Sequence, residues 1–140
     1  MHIVLWIIQG LLGLVFLMAG GSKLMLPIEE LAVNMSFVNE VPALMVRFIG
    51  FAELLGAIGL IVPSATRILP WLTPLAAAGL ATVMALAIPM HLSLGEPFGA
   101  IIPSVVLMHL SVLVAVGRTK FKPISGRSAD DQRTSASVAL

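Results

Sequence analysis

The sequence predicts an all-α membrane protein: a four-transmembrane-helix bundle with a short amphipathic interfacial helix between the first two spans. Three observations carry that prediction. Of 140 residues, 59% are hydrophobic and only 11% charged, too little polar surface for a water-soluble domain of this size. Mean hydropathy is correspondingly high, at +1.06. The apolar residues also gather in four runs of about 20, enough to cross a hydrocarbon core of ~30 Å at ~1.5 Å per residue. Four such runs leave no polar shell to bury them, and in lipid each segment must satisfy its own backbone, as a helix does.

The first run is IVLWIIQGLLGLVFLMAGGS, residues 3–22, preceded by His2 and by no Lys or Arg. It is longer than the ~7–15 residues of a signal-peptide core and no clean A-x-A site follows, so it is expected to be a retained span. LPIEE and VPALM bracket the first connection, with Pro27 and Pro42 suited to first helical turns. Between them Leu31, Met35 and Val38 recur at i, i+4 and i+7, and Glu29 and Glu30 occupy a first turn. That is the pattern of a short amphipathic helix at the interface. The second run, ALMVRFIGFAELLGAIGLIV at 43–62, is closed by Pro63. The third extends from Ile68 to about Met90, with Pro70 and Pro74 in its first turns and Pro89 near its end. GEP at 95–97 makes a short connection to the fourth, FGAIIPSVVLMHLSVLVAVG at 98–117, which Pro103 is expected to bend. After it, RTKFKPISGRSADDQRTSASVAL is polar, small and without a periodic apolar face, and is expected to be disordered. The chain therefore divides into a transmembrane domain, 1–117, and a polar cytoplasmic tail, 118–140.

Charge sets the expected orientation. An even number of spans puts both termini on one side, together with Arg67, Arg118, Lys120, Lys122, Arg127 and Arg133, against Lys23 and Arg47 on the other. That bias places the termini in the cytoplasm, with Trp6 and Trp71 near the same interface. The chain has no cysteine, so thiolate chemistry, disulfides and cysteine metal sites are excluded. A net charge of +1 without a basic stripe argues against nucleic acid as a partner. The lipid bilayer is the partner that composition demands.

Five polar residues within or at the ends of the spans form the candidate intramembrane site: Glu53, His109, Lys23, Gln9 and His91. Glu53 lies 11 residues after Pro42 and 10 before Pro63, at the midplane of its span. An unpaired charge there costs about 2.5–3.5 kcal/mol on insertion scales, so Glu53 is expected to face the bundle. Its helical neighbours Gly50, Gly56 and Ala57 are small, which lets another helix approach. His109, 12 residues after Pro97, lies near the same depth and is the expected partner. Gln9, Gly13, Phe16, Gly20 and Lys23 fall in a stripe about 80° wide that should face inward. Gln9 then reads as an interhelical hydrogen bond, Lys23 as a residue snorkelling from a helix end, and His91 as an interface residue. No pair has the i, i+3 or i+4 spacing of a helical metal site, so no metal is expected, and no catalytic motif stands out.

The segments GLVFLMAGGSKL, FAELLGAIGLIVP and MHLSLGE, with Lys23, the E-x-x-G setting of Glu53 and Gly56, and the turn at Pro63, resemble the DoxX-like family. The resemblance covers roughly residues 3–117. It implies a small four-helix protein of the bacterial inner membrane. Some relatives are associated with quinone-linked oxidoreductases acting on sulfur compounds, others with redox stress or detoxification, and a distant one with receptor assembly. No haem or flavin motif accompanies it here, so no intrinsic cofactor is expected, and quinone enters only as a ligand. The leading expectation is a mid-membrane polar site that binds a small hydrophobic or quinone-like molecule or supports a membrane redox partner. The rivals are a subunit of a quinone-dependent membrane oxidoreductase and an assembly factor whose polar residues form a purely structural clamp.

Overall fold

A computed structural model describes residues 2–139, so Met1 and Leu140, the outer ends of the expected membrane domain and tail, lie outside the described residues. The protein is helical, with no strand among the described residues. Four helices are long and apolar enough to cross a membrane: α1 (His2–Met25), α3 (Ala43–Thr66), α4 (Leu72–Ser93) and α5 (Phe98–Val116), the last prolonged by a π-turn over Gly117–Phe121. Between α1 and α3 lie α2 (Ile28–Asn34) and a 3-10 turn, Ser36–Asn39, and α6 (Arg127–Val138) ends the described chain.

The spans pack in the order α1, α3, α4, α5, and α5 also meets α1. Leu12, Phe16, Ala57, Leu60, Leu80, Met84 and Val114 form the core. Large side chains such as Leu14, Met18, Phe51, Leu55 and Leu86 point outward, as lipid-facing positions do when the solvent is hydrocarbon. With no hydrophobic drive between helices in lipid, close backbone approach has to hold them together. Two glycines supply it between α1 and α3: a Cβ on Gly20 would stand 2.6 Å from the Gly50 carbonyl oxygen, and one on Gly50 would stand 2.6 Å from Lys23 Cβ.

Several boundaries differ from the expectation. Pro63 does not close the second span; α3 runs through it to Thr66 and buries it. The helix stops instead at Arg67, whose φ of 59° is left-handed, and Leu69 at 49° follows suit. The third span accordingly begins at Leu72 rather than Ile68. The fourth continues past Gly117, which draws Arg118 into the span. The segment expected to be disordered carries α6, an exposed helix with Asp130 in its first turn, where a negative charge suits the helix dipole. Its backbone is tied down by Arg127 N–H donating to the Arg67 carbonyl at 3.1 Å. Having no apolar stripe, α6 left no periodic signal in the sequence. The expected amphipathic helix is split, because extended Met35 separates α2 from the 3-10 turn. Leu31 and Val38, two of its three periodic residues, are buried there with Val46.

Candidate functional site

The inward stripe of α1 exists as a surface: Gln9, Gly13, Phe16, Gly20 and Lys23 are all buried. It presents two polar centres to the bundle, one in each half of the helix.

The first lies toward the end of the bundle that carries α2, called distal here. Lys23 Nζ donates to Glu53 Oε2 at 2.8 Å, and the two side chains are only 7% and 4% exposed. Lys23 Nζ also lies 3.4 Å from the Ala19 carbonyl, and the Arg47 guanidinium donates to the Lys23 carbonyl. The stem of Lys23 thus turns into the bundle, where a snorkelling residue would have turned out to water. Spare capacity remains, because the ammonium has a third proton and Glu53 Oε1 takes no hydrogen bond among the described residues.

The second centre lies toward the end that carries both termini. Gln9 Nε2 donates to the Leu60 carbonyl at 2.7 Å and to Ser64 Oγ at 3.3 Å. Ser64 and Thr73 share a hydroxyl hydrogen bond of 2.7 Å. Arg118 Nε donates to Gln9 Oε1 at 2.5 Å, and Nη1 stands 3.3 Å from His2 Nδ1. Trp6 donates to the other ring nitrogen of His2 at 3.2 Å. Its ring also lies under the guanidinium, 5.3 Å from Cζ to centroid, a cation–π arrangement. Arg118 Nη2 is buried without a partner.

The two histidines part from the expected site. His109 is exposed on the outer face of α5, with Nδ1 2.7 Å from the Val105 carbonyl, and takes no part in the Glu53 centre. The expected Glu53–His109 pair is corrected to Glu53–Lys23, because equal depth does not imply equal azimuth. His91 pairs with Glu96 at 2.6 Å across the α4–α5 connection. The His91 imidazole, then the Ser36 hydroxyl, holds the Glu96 carboxyl below its ordinary value. Among the described residues, no group of three or more His, Asp or Glu side chains is gathered as a metal would need.

Sequence reasoning missed Arg118, Ser64 and Thr73. Arg118 was absorbed into the count of basic residues that sets topology. The available signal was the inward-facing Gln9, which needs partners at its own depth, and the polar Ser64 and Thr73 on either side of the α3–α4 turn.

A family model described as the DoxX-like family matches residues 7–114. No curated protein matches the chain, and no solved structure does.

Proposed function

The chain belongs to the DoxX-like family, and from that premise we propose that this multi-pass membrane protein binds the polar head of a small hydrophobic, quinone-like molecule at the Lys23–Glu53 centre, by itself or in support of a membrane redox partner. The observation that carries the reading is the pair itself: opposite charges from two spans, each less than a tenth exposed. Ionisable groups placed inside a membrane are costly and mark ligand or proton sites more often than not. The spare ammonium proton suits a carbonyl oxygen, and the free Oε1 suits a hydroxyl donor, the two states of a quinone head. The proposed setting is a bacterial inner membrane with both termini in the cytoplasm. With Arg118 drawn into the bundle, five basic residues (Arg67, Lys120, Lys122, Arg127 and Arg133) still lie on the terminal side against Lys23 and Arg47.

A second reading, a structural clamp within an assembly factor, has its own support in the tight Gly20–Gly50 approach beside the pair. One experiment separates the two. The wild-type protein and Glu53→Gln are purified in mild detergent, bound small molecules are identified by mass spectrometry, and a short-chain benzoquinone is titrated against thermal stability. Ligand binding predicts quinone retained by the wild type and lost from a folded Glu53→Gln. A wild type that carries no quinone and gains no stability from benzoquinone leaves the clamp.

A further inference from the structure

We propose that the terminal end of the bundle holds an anion site for a phosphate group, centred on Arg118 and separate from the Lys23–Glu53 centre. Arg118 is 3% exposed, yet no carboxylate bonds it among the described residues: its partners are Gln9, His2 and the Trp6 ring. A charge withdrawn from water without a counter-charge is strongly unfavourable. The unused Nη2 adds a buried donor with nothing to donate to. A centre one anion short in both charge and hydrogen bonds is best completed by an anion.

The space for it adjoins. A cavity of about 260 Å³ is lined by His2, Trp6, Ser64, Arg67 and Ser125, among others. Two of these, His2 and Trp6, also surround the Arg118 guanidinium. A water occupies about 30 Å³ in the liquid, so a phosphate group fits with solvent beside it. The lining offers hydroxyls from Ser64 and Ser125, the His2 imidazole and the Arg67 guanidinium, while Arg118 lies one side chain away, against His2 and Trp6. Arg67 is now paired with Asp130 of α6 at 2.7 Å, in a bridge whose side chains are 52% and 39% exposed. Exposed pairs of that kind contribute little and exchange easily. Guanidinium forks match phosphate oxygens two at a time, so Arg67 can leave Asp130 for an arriving phosphate. The cavity lies where α1 begins and α3 gives way to its left-handed turn, the level at which spans leave hydrocarbon. Phosphate can reach that level from a phospholipid headgroup or from the aqueous phase.

The test uses the full chain in neutral detergent, with thermal stability as the readout. Inorganic phosphate is titrated at constant ionic strength against chloride, and phosphatidylglycerol is titrated in mixed micelles. The expected result is a saturable rise in Tm. A rise with inorganic phosphate identifies a free anion as a source, and a rise with phosphatidylglycerol alone identifies the headgroup. Arg118→Met, which keeps the stem and removes the charge, should raise the half-saturating concentration about tenfold or abolish the effect. Arg67→Gln, which removes only an exposed side-chain bridge to Asp130, should raise it about threefold. No rise with either ligand overturns the proposal. So does an undiminished response in a folded Arg118→Met or, should that variant not fold, in Arg67→Gln.

Discussion

The two polar centres of α1 solve the same electrostatic problem in different ways. At the distal centre, the cation of Lys23 and the anion of Glu53 lie 2.8 Å apart, and glycines close the helices around them. At the terminal centre, the cation of Arg118 meets no carboxylate among the described residues and keeps a donor unused, and two of its neighbours, His2 and Trp6, line a cavity. One centre is balanced by the sequence and the other is not. The contrast teaches which centre responds most to losing a charge and which to being supplied with one. A self-neutralised pair resists change because removing either charge strands the other, whereas an unbalanced centre is sensitive to what the surroundings supply.

The largest expected effect tests the balanced side. Glu53→Leu leaves Lys23 buried and unpaired and should cost about 3–5 kcal/mol, read as a steep fall in Tm in detergent. Glu53→Gln also removes the charge but keeps a hydrogen-bond acceptor for Lys23, and should cost less, about 1.5–3 kcal/mol. Equal losses from the two substitutions would mean that Lys23 requires the charge of Glu53 rather than a hydrogen-bond acceptor. An intermediate effect belongs to the terminal centre. Gln9→Leu removes the acceptor for Arg118 Nε and the donor to Ser64 and the Leu60 carbonyl. It should cost about 1–3 kcal/mol, because it breaks hydrogen bonds without stranding a newly unpaired charge. A Gln9→Leu protein less stable than Glu53→Leu would reverse the ranking of the two centres.

The smallest effect comes from His91–Glu96, a partly exposed pair that gives a scale for the buried one. The Glu96 carboxyl is held below 4.5 by His91 and then Ser36. A carboxyl depressed in the folded state stabilises it above the unfolded value and stops doing so as pH falls through the folded value. The stability difference between wild type and Glu96→Gln should therefore be small at neutral pH, start to decline as pH falls below 4.5, and vanish once pH is under the depressed folded value. A difference that persists undiminished well below pH 4.5 would show that Glu96 acts through something other than its charge.

Much of this was legible in the sequence, for reasons that also explain the misses. Run length and hydropathy determine the spans because a bilayer has a fixed thickness. The stripe from Gln9 to Lys23 was legible because helical periodicity fixes azimuth within one helix. Azimuth between helices is not fixed by depth, and that is where His109 misled. It lies five residues from Ser104, a rotation of about 140° at ~100° per residue, and Ser104 and Ser111 are buried on α5 while His109 is not. Those two serines were the available sign that the histidine faces outward. Arg118 was hidden by a rule that treats basic residues at span ends as address labels. Nothing in the sequence marked the π-turn that carries it inward, and α6 had no apolar face to betray it.

The central claim is that Lys23 and Glu53 are each other's partner inside the bundle, and a double-mutant cycle tests it most directly. Thermal or denaturant unfolding is measured for the wild type, Lys23→Met, Glu53→Leu and the double variant, in one detergent. Each single substitution strands a charge, whereas the double variant replaces the pair with apolar side chains of similar size, which is often close to neutral. The account predicts a double variant more stable than either single variant, with a coupling of about 2 kcal/mol or more. Additive losses, with the double variant the least stable of the four, would contradict it.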